Sequence, residues 1–255
     1  MNLQMDINSA TKYKSNSQKA RVITEQWVTE NMFCPRCGNE QISHFENNRP
    51  VADFFCPNCD NQYELKSISG AHLAKVNDGA YSTMIDRIMS MNNPDFFFMS
   101  YLKPNWIVHN FFFVPKHFFT PSIISKRKPL SPNARRAGWT GCHILLEEIP
   151  QNGRISIIEN GHVTPKKDIV KKVSIANALF VADINNRGWL FDVLLCVEKL
   201  KNEFTLEEMY SFDNELSKLH PSNNNIRPKI RQQLQILRDK GIVEFTSRGK
   251  YRKVV

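Results

Sequence analysis

Two cysteine pairs constrain this chain more than any other feature of its sequence. Cys34 and Cys37 form one C-x2-C pair, and Cys56 and Cys59 form a second pair after eighteen intervening residues. This spacing is typical of a zinc site built from two knuckles. Four thiolates complete the tetrahedral shell of zinc and leave no position for water or substrate. The sequence therefore predicts a structural Zn²⁺ site and not a catalytic one.

Redox chemistry is the competing interpretation of a C-x2-C pair. It explains the count less well, because one ion accounts for both pairs and no thioredoxin-like βαβ pattern surrounds them. The remaining cysteines, Cys142 and Cys196, stand alone among apolar neighbours. We expect both to be buried structural thiols.

Two carboxylates and a lysine are interleaved with the second cysteine pair. Asp53 precedes Cys56, and Glu64 and Lys66 follow Cys59. On a strand, Glu64 and Lys66 would point to the same face. If Asp53 stands on a neighbouring strand, its carboxylate can meet that of Glu64, and a hard cation such as Mg²⁺ would relieve their repulsion.

A lysine beside such a site can orient or help deprotonate an attacking water, or offset charge on a phosphate. The alternative is that the segment is a solvated strand edge without chemistry.

Hydrophobic patterning predicts an α/β (α+β) protein with a mixed sheet flanked by helices. Helices are predicted over 17–28 and 79–91, a strand over 62–67, and buried strands over 96–102 and 106–115. A hairpin is predicted around the dipeptide Asn160-Gly161. Residues 115–139 contain four prolines and several cations, and are predicted to form a long exposed loop.

The composition shifts near residues 174–188, and a different pattern follows. Helices are predicted over 187–200 and 203–219, the second capped by Thr205 and Glu208. A last helix carries Ile226, Ile230 and Leu234 on one face, and two short strands flank Arg248-Gly249. This order is that of a winged helix-turn-helix. We therefore divide the chain into a first domain, 1–183, and a winged-helix domain, 184–255.

The charge of the chain is concentrated in that second domain. The whole chain has a net charge of +9, and residues 221–255 carry nine cations against two acids, a net charge of +7. Such a field favours nucleic acid as the partner. The sequence has no apolar signal segment and no run of eighteen apolar residues, so we expect a cytoplasmic protein without membrane attachment.

Several stretches of the sequence resemble those of a known family. The stretches KSNSQKAR, HFENNRPVADF, YELKS, RRAGW and IRQQLQILRDK strongly resemble the DpnI family of methyl-directed (type IIM) restriction endonucleases, which belongs to the PD-(D/E)xK superfamily. The similarity extends from about Tyr13 to the C-terminus. Ala52 stands where the name of the motif has proline, and this departure carries no chemistry.

The resemblance implies a PD-(D/E)xK nuclease domain with an inserted four-cysteine zinc knuckle, joined to a winged helix. It implies Mg²⁺-dependent hydrolysis of double-stranded DNA at 5′-GATC-3′ sites whose adenine carries an N6-methyl group, with both domains reading the DNA. Asp53 and Glu64 would bind Mg²⁺, and Lys66 would be the catalytic lysine. Cys34, Cys37, Cys56 and Cys59 would hold Zn²⁺.

DNA contacts are expected from three segments. Polar side chains near the start of the last helix can pair with base edges in the major groove, and cations of the hairpin are better placed for phosphate. In the proline-rich loop, Trp139 is a candidate contact to the methyl group, although it could instead be a core residue at the start of a strand. The candidates are Asn223, Asn224, Asn225, Arg227, Lys229, Arg231, Gln232 and Gln233 in the helix, Arg248, Lys250 and Arg252 in the hairpin, and Arg135, Arg136 and Trp139 in the loop.

Two alternatives remain open from the sequence. One is a zinc-containing winged-helix transcription regulator without catalysis, and the other is a related nuclease that reads other modifications or RNA. No long apolar heptad supports a stable dimer, so we expect a monomer with no obligate protein partner.

Overall fold

The structure is a computed structural model that describes residues 1–46 and 52–254. Part of the family-like stretch HFENNRPVADF, residues 47–51, therefore lies outside the described residues. In chain order the N-terminal elements are α1 (Asn16–Asn31), β1 (Ser43–His44), β2 (Phe54–Phe55), β3 (Gln62–Ser69), β4 (Lys75–Ala80), α2 (Tyr81–Met89), β5 (Asp95–Leu102), β6 (Ile107–Val114), β7 (Ile124–Lys126), β8 (Gly141–Leu145), β9 (Ile155–Glu159), β10 (His162–Val163) and α3 (Lys166–Ala178).

A mixed sheet forms the centre of this N-terminal part. Over the described residues it has seven strands in the order β1-β2-β3-β5-β6-β9-β10. Strands β3 and β5 run parallel, and the other neighbours are antiparallel. A smaller sheet, β4-β8-β7, lies beside it. The mixed sheet flanked by helices is therefore confirmed.

Aromatic residues fill the core between the sheet and α1. The Phe97 ring stacks on Tyr63 with 4.9 Å between centroids and on Phe111 with 5.2 Å. Trp27 of α1 meets Phe111 edge-on at 5.4 Å. Seven of the eight residues of β5 are buried, which explains why its sequence is mostly apolar and does not alternate between apolar and polar residues.

Several local predictions match the structure. The helix predicted over 17–28 is α1, and the strand predicted over 62–67 lies within β3. Asn160 and Gly161 connect β9 to β10 with φ angles of 49° and 79°, the left-handed conformation that this turn requires. Cys142 and Cys196 are buried, as expected.

Two N-terminal predictions are wrong in detail. The long exposed loop predicted over 115–139 is ordered in its first half, where residues 116–126 form two short 3-10 turns and β7 and fully bury Phe118 and Phe119. The prolines and cations of this segment suggested exposure, but the buried rings of Phe118 and Phe119 pack it against the core. The helix predicted over 79–91 begins at Tyr81, because the preceding two residues end β4.

The C-terminal part has the order of a winged helix. Thr205 and Glu208 form the predicted capping box. The prediction of a single helix over 203–219 is wrong, because this segment forms β11, α5 and α6. The elements are α4 (Ile184–Lys199), β11 (Glu203–Thr205), α5 (Leu206–Tyr210), α6 (Asp213–Leu219), α7 (Ile226–Asp239), β12 (Val243–Ser247) and β13 (Lys250–Lys253), with a sheet in the order β11-β13-β12.

Helix α4 and the end of α7 connect this winged helix to the N-terminal part. Phe191 of α4 stacks on Phe118 with 4.5 Å between ring centroids. Lys240, directly after α7, donates hydrogen bonds from Nζ to the carbonyl oxygens of Ala178 at 2.6 Å and Phe180 at 3.2 Å, at the end of α3. None of the described helices is long and apolar enough to cross a membrane.

The aromatic core gives a test of this packing. Replacing Phe97 by Ala removes a fully buried ring that contacts Tyr63 and Phe111. We expect the variant to lose about 3–5 kcal/mol of unfolding free energy, because a cavity is left between the sheet and α1. Denaturant titration measures this loss. Ile7→Ala, at a side chain that is 53% exposed, serves as the control and should change the unfolding free energy by less than about 0.5 kcal/mol.

Candidate active site and metal centre

The four cysteines of the two pairs converge on one point. The Sγ atoms of Cys34 and Cys59 are 3.7 Å apart, those of Cys37 and Cys56 are 3.6 Å apart, and all four sulfurs lie within 4.8 Å of one another. Sulfurs bound at about 2.3 Å to a tetrahedral zinc would be separated by about 3.8 Å. The cluster could therefore bind Zn²⁺.

The two knuckles share one backbone design. The amide of Gly38 donates to the carbonyl of Cys34, and the amide of Asp60 donates to the carbonyl of Cys56, both at 2.9 Å. Gly38 has a φ of 77° and Asp60 a φ of 55°. Each turn thus needs a left-handed residue four positions after its first cysteine. Glycine adopts this conformation freely, and a short polar residue such as aspartate tolerates it.

Tyr63 of β3 connects the cysteine cluster to the sheet. Its hydroxyl lies 2.9 Å from Cys34 Sγ, and the side chain is fully buried. Burial raises the pKa of Tyr63, so the phenol stays protonated and can donate to a thiolate sulfur. Outer partners of this kind orient metal ligands. A second connection runs from Asn61 Nδ2 to the buried carboxylate of Asp95 at 2.7 Å.

The predicted carboxylates and lysine come together on the other face of β3. Strands β2 and β3 pair with Phe54 opposite Tyr63, and this register places Asp53 opposite Glu64. Asp53 Oδ2 accepts a hydrogen bond from the Leu65 amide at 2.8 Å. The Lys66 ammonium lies 2.5 Å from Glu64 Oε1. The structure therefore places Asp53, Glu64 and Lys66 in one site.

The electrostatics of this site follow from burial. Desolvation raises the pKa of both Asp53 and Glu64, although the Leu65 amide opposes the shift at Asp53 and Lys66 opposes it at Glu64. Burial alone would lower the pKa of Lys66, but the neighbouring carboxylates Glu64 and Asp78 outweigh it and raise that pKa. Lys66 is thus held as an ammonium ion.

One oxygen of this site has no partner among the described residues. Glu64 Oε2 is buried and accepts no hydrogen bond, whereas Oε1 is occupied by Lys66. A buried carboxylate oxygen without a partner is costly. A hard divalent cation held by Glu64 and Asp53 would satisfy it, and carboxylate oxygens are the ligands that Mg²⁺ prefers.

The structure adds residues that the sequence did not indicate. Glu25 of α1 is buried and binds Arg21 at 2.6 Å and His44 at 3.2 Å, and its charge contributes to the raised pKa of Asp53. Asp78 of β4 lies 2.5 Å from Lys66. Both residues reach the site through tertiary contacts, and no spacing in a single sequence marks them.

In the proline-rich segment, the expected loop residues lie side by side. The Arg136 guanidinium sits over the Trp139 ring at 4.8 Å from its centroid, and Arg135 is exposed. Trp139 is half-buried and precedes β8, so it is not a core residue. A Cβ atom at position 141 would lie 2.9 Å from the Trp139 ring, which is too close. Glycine at this position leaves the space that the ring needs.

The outer face of α7 carries several of the expected helix contacts. Arg227 pairs with Asp213 at 2.6 Å and lies over the Tyr210 ring, and Arg231 donates to the Tyr210 hydroxyl at 2.6 Å. Lys229 donates to Asn186 Oδ1 at 2.8 Å. Intrachain partners thus hold these three cations. Asn224, Asn225 and Gln232 are exposed, and Asn223 is half-buried.

Two candidate DNA-contact residues have surroundings that the sequence did not predict. Gln233 is fully buried inside the winged helix, so its expected role at a base edge is wrong. Arg252 of the hairpin pairs with Glu203 at 2.9 Å and Glu244 at 3.0 Å. Arg248 and Lys250 are exposed at the tip of the hairpin.

Comparison with known families covers nearly the whole chain. The model of the DpnI family, described as the Dam-replacing family, matches residues 1–181, and that of the Dam-replacing HTH domain matches residues 185–253. The chain belongs to the Dam-replacing family. Membership in this DpnI family implies a restriction endonuclease whose C-terminal helix-turn-helix domain binds DNA.

The cysteine cluster generates a test that is independent of DNA. We expect the purified protein to contain one zinc per chain and Cys34→Ser to lose it. The loss should destabilise the N-terminal domain by several kcal/mol, since zinc binding to such sites is coupled to folding and contributes on the order of 10 kcal/mol. Metal analysis and thermal unfolding measure both effects. Cys196→Ala is the matched control and should retain zinc, and a Cys34→Ser protein with full zinc content would contradict the assignment.

Proposed function

We propose that this protein is a Mg²⁺-dependent type II endonuclease that hydrolyses double-stranded DNA at 5′-GATC-3′ sites carrying N6-methyladenine. The proposed hydrolysis is supported by the site on β3, where Asp53, Glu64 and Lys66 meet. In this site Glu64 Oε2 has no partner among the described residues. The target sequence and its modification come from the resemblance to the family. In this proposal residues 1–183 are the nuclease domain and residues 184–255 the winged helix.

The three residues of this site have different roles in the proposed hydrolysis of a phosphodiester. Asp53 and Glu64 would hold the cation, which when bound polarises the phosphate and lowers the pKa of a coordinated water. Lys66 is an ammonium ion between two carboxylates, so it acts as a hydrogen-bond donor and not as a base. Its remaining N–H group can stabilise the negative charge that develops on the phosphate oxygens.

DNA recognition is proposed for both domains. Exposed side chains at the start of α7, among them Asn225 and Gln232, would reach base edges in the major groove. Arg248 and Lys250 at the tip of the hairpin would contact phosphate. In the nuclease domain, Arg135 would contact phosphate, and the Trp139 ring with its stacked Arg136 would contact the methylated base. A monomeric state and a cytoplasmic location remain predictions from the sequence.

Cleavage of plasmid DNA from methylating and non-methylating hosts tests the function. We expect the protein with Mg²⁺ to cut the methylated plasmid only, and chelation of Mg²⁺ to stop cleavage. Asp53→Ala should reduce the rate by about a thousandfold, because it removes a cation ligand worth several kcal/mol of transition-state stabilisation. The exposed Asp86→Ala variant is the control and should cut normally.

Each alternative predicts a different result in the same assay. A transcription regulator would bind DNA without cutting it, and Asp53→Ala would leave its binding unchanged. A nuclease with another target would cut DNA of other modification, or RNA, in preference to the methylated plasmid. Cutting that is independent of Mg²⁺ would contradict the role given to Asp53 and Glu64.

Trp139 provides a separate test of methyl recognition. We expect Trp139→Ala to reduce the preference for methylated over unmethylated sites by roughly tenfold, since one methyl group in an apolar contact contributes about 1–3 kcal/mol. Cleavage rates on the two plasmids give the ratio. Trp139→Phe keeps an aromatic face and should retain most of the preference. Full discrimination by the alanine variant would remove Trp139 from the recognition site.

A further inference from the structure

Asp78 stands next to the catalytic lysine but belongs to a different sheet. Its Oδ1 atom accepts a hydrogen bond from Lys66 Nζ at 2.5 Å, the same distance at which Lys66 meets Glu64 Oε1. Both partners are largely shielded, with 17% of the Lys66 side chain and 14% of the Asp78 side chain exposed. The lysine is therefore clamped between one carboxylate of β3 and one of β4.

An irregularity in β4 directs Asp78 toward the lysine. The pairing of β4 with β8 shifts register between Asp78 and Ala80, so Gly79 is an extra residue, a β-bulge. Bulges of this kind re-aim side chains and are common beside active sites. The Gly79 amide donates to Asp78 Oδ1 at 2.7 Å, and the buried Cys142 thiol donates to the Gly79 carbonyl at 3.6 Å. The Asp78 carboxylate is thus held by the backbone amide of the next residue.

The number of N–H donors on Lys66 shows the effect of its contact with two carboxylates. An ammonium has three N–H groups; one faces Glu64 and one faces Asp78, which leaves a single donor for a substrate. With one carboxylate only, the ammonium would lie fully on Glu64 and compete with a cation for its oxygens. Asp78 supplies a second acceptor for Nζ, and Glu64 Oε2 has no protein partner in the described part of the chain.

We propose that Asp78 is a positioning residue of the nuclease site, which orients Lys66 toward the scissile phosphate and keeps one Glu64 oxygen available to the cation. This inference rests on the proposed function of the Asp53, Glu64 and Lys66 site. It assigns Asp78 no direct contact with the substrate. Its effect passes through Lys66.

The alternative is that Asp78 only stabilises the bulge, and Asp78→Asn separates the two roles. Asparagine keeps an oxygen acceptor for the Gly79 amide, so the bulge is retained, but it removes the negative charge that holds the lysine. We expect the variant to match the wild type in zinc content, thermal midpoint and affinity for methylated DNA in the absence of Mg²⁺.

The Asp78→Asn substitution should lower the cleavage rate although DNA binding is unchanged. We expect Asp78→Asn in the full-length protein to lower kcat on methylated plasmid by roughly tenfold to hundredfold, the size of effect that a misplaced catalytic group produces, with KM within about twofold of the wild type. The Mg²⁺ concentration for half-maximal rate should rise, because Lys66 then competes for Glu64. The exposed Asp86→Asn variant of α2 is the matched control and should change none of these quantities.

A double-mutant cycle with Lys66→Ala decides whether the effect passes through the lysine. Single-turnover cleavage by Lys66→Ala and by Lys66→Ala/Asp78→Asn should proceed at the same rate, because contacting residues that act as one unit are not additive. Multiplied losses in the double variant, or an Asp78→Asn protein that cuts at the wild-type rate, would overturn the inference and leave the proposed function standing. A wild-type protein that does not cut methylated DNA overturns both.

Discussion

The alternation of side chains along β3 is the constraint on which both sites depend. Tyr63 points toward the cysteine cluster and the aromatic core, and the next residue, Glu64, points to the opposite face with Lys66. A slip of one residue would exchange these faces and abolish both sites at once. The hydrogen bond from the Asp53 amide to the Tyr63 carbonyl at 2.9 Å fixes the register at this position. The cysteine cluster and the carboxylate–lysine site are therefore aligned by the same strand.

Sequence reasoning succeeded where the information was local. Cysteine spacing found the cluster, and the i, i+2 relation found the shared face of Glu64 and Lys66, because both depend on short-range geometry. Asp78 and Glu25 were missed, since they reach the site only when β4 and α1 pack beside β3. The prediction for Gln233 was wrong for the same kind of reason, because the orientation of a helix about its axis is decided by packing.

The charge of the winged helix illustrates a related limit. Within residues 221–255 the cations outnumber the acids by seven, yet Arg227 and Arg252 pair with Asp213 and Glu203, which lie outside that segment. Counting charges along the chain therefore overstates the field that DNA would meet. Exposed ion pairs of this type are weak and exchange readily. A phosphate group could replace either acid as the partner of its arginine.

The contact of Lys240 with the end of α3 has a mechanical consequence. The chain passes from α3 to α4 through residues 179–183, and Lys240 binds the carbonyl oxygens of Ala178 and Phe180 at that same place. The covalent connection and this hydrogen-bonded contact thus meet at the C-terminal end of α7, while the Phe191–Phe118 stack holds α4. A rotation that preserves this contact would move the far end of that 14-residue helix most, with a lever arm of about 21 Å. Asn225 and Arg227 stand at that far end.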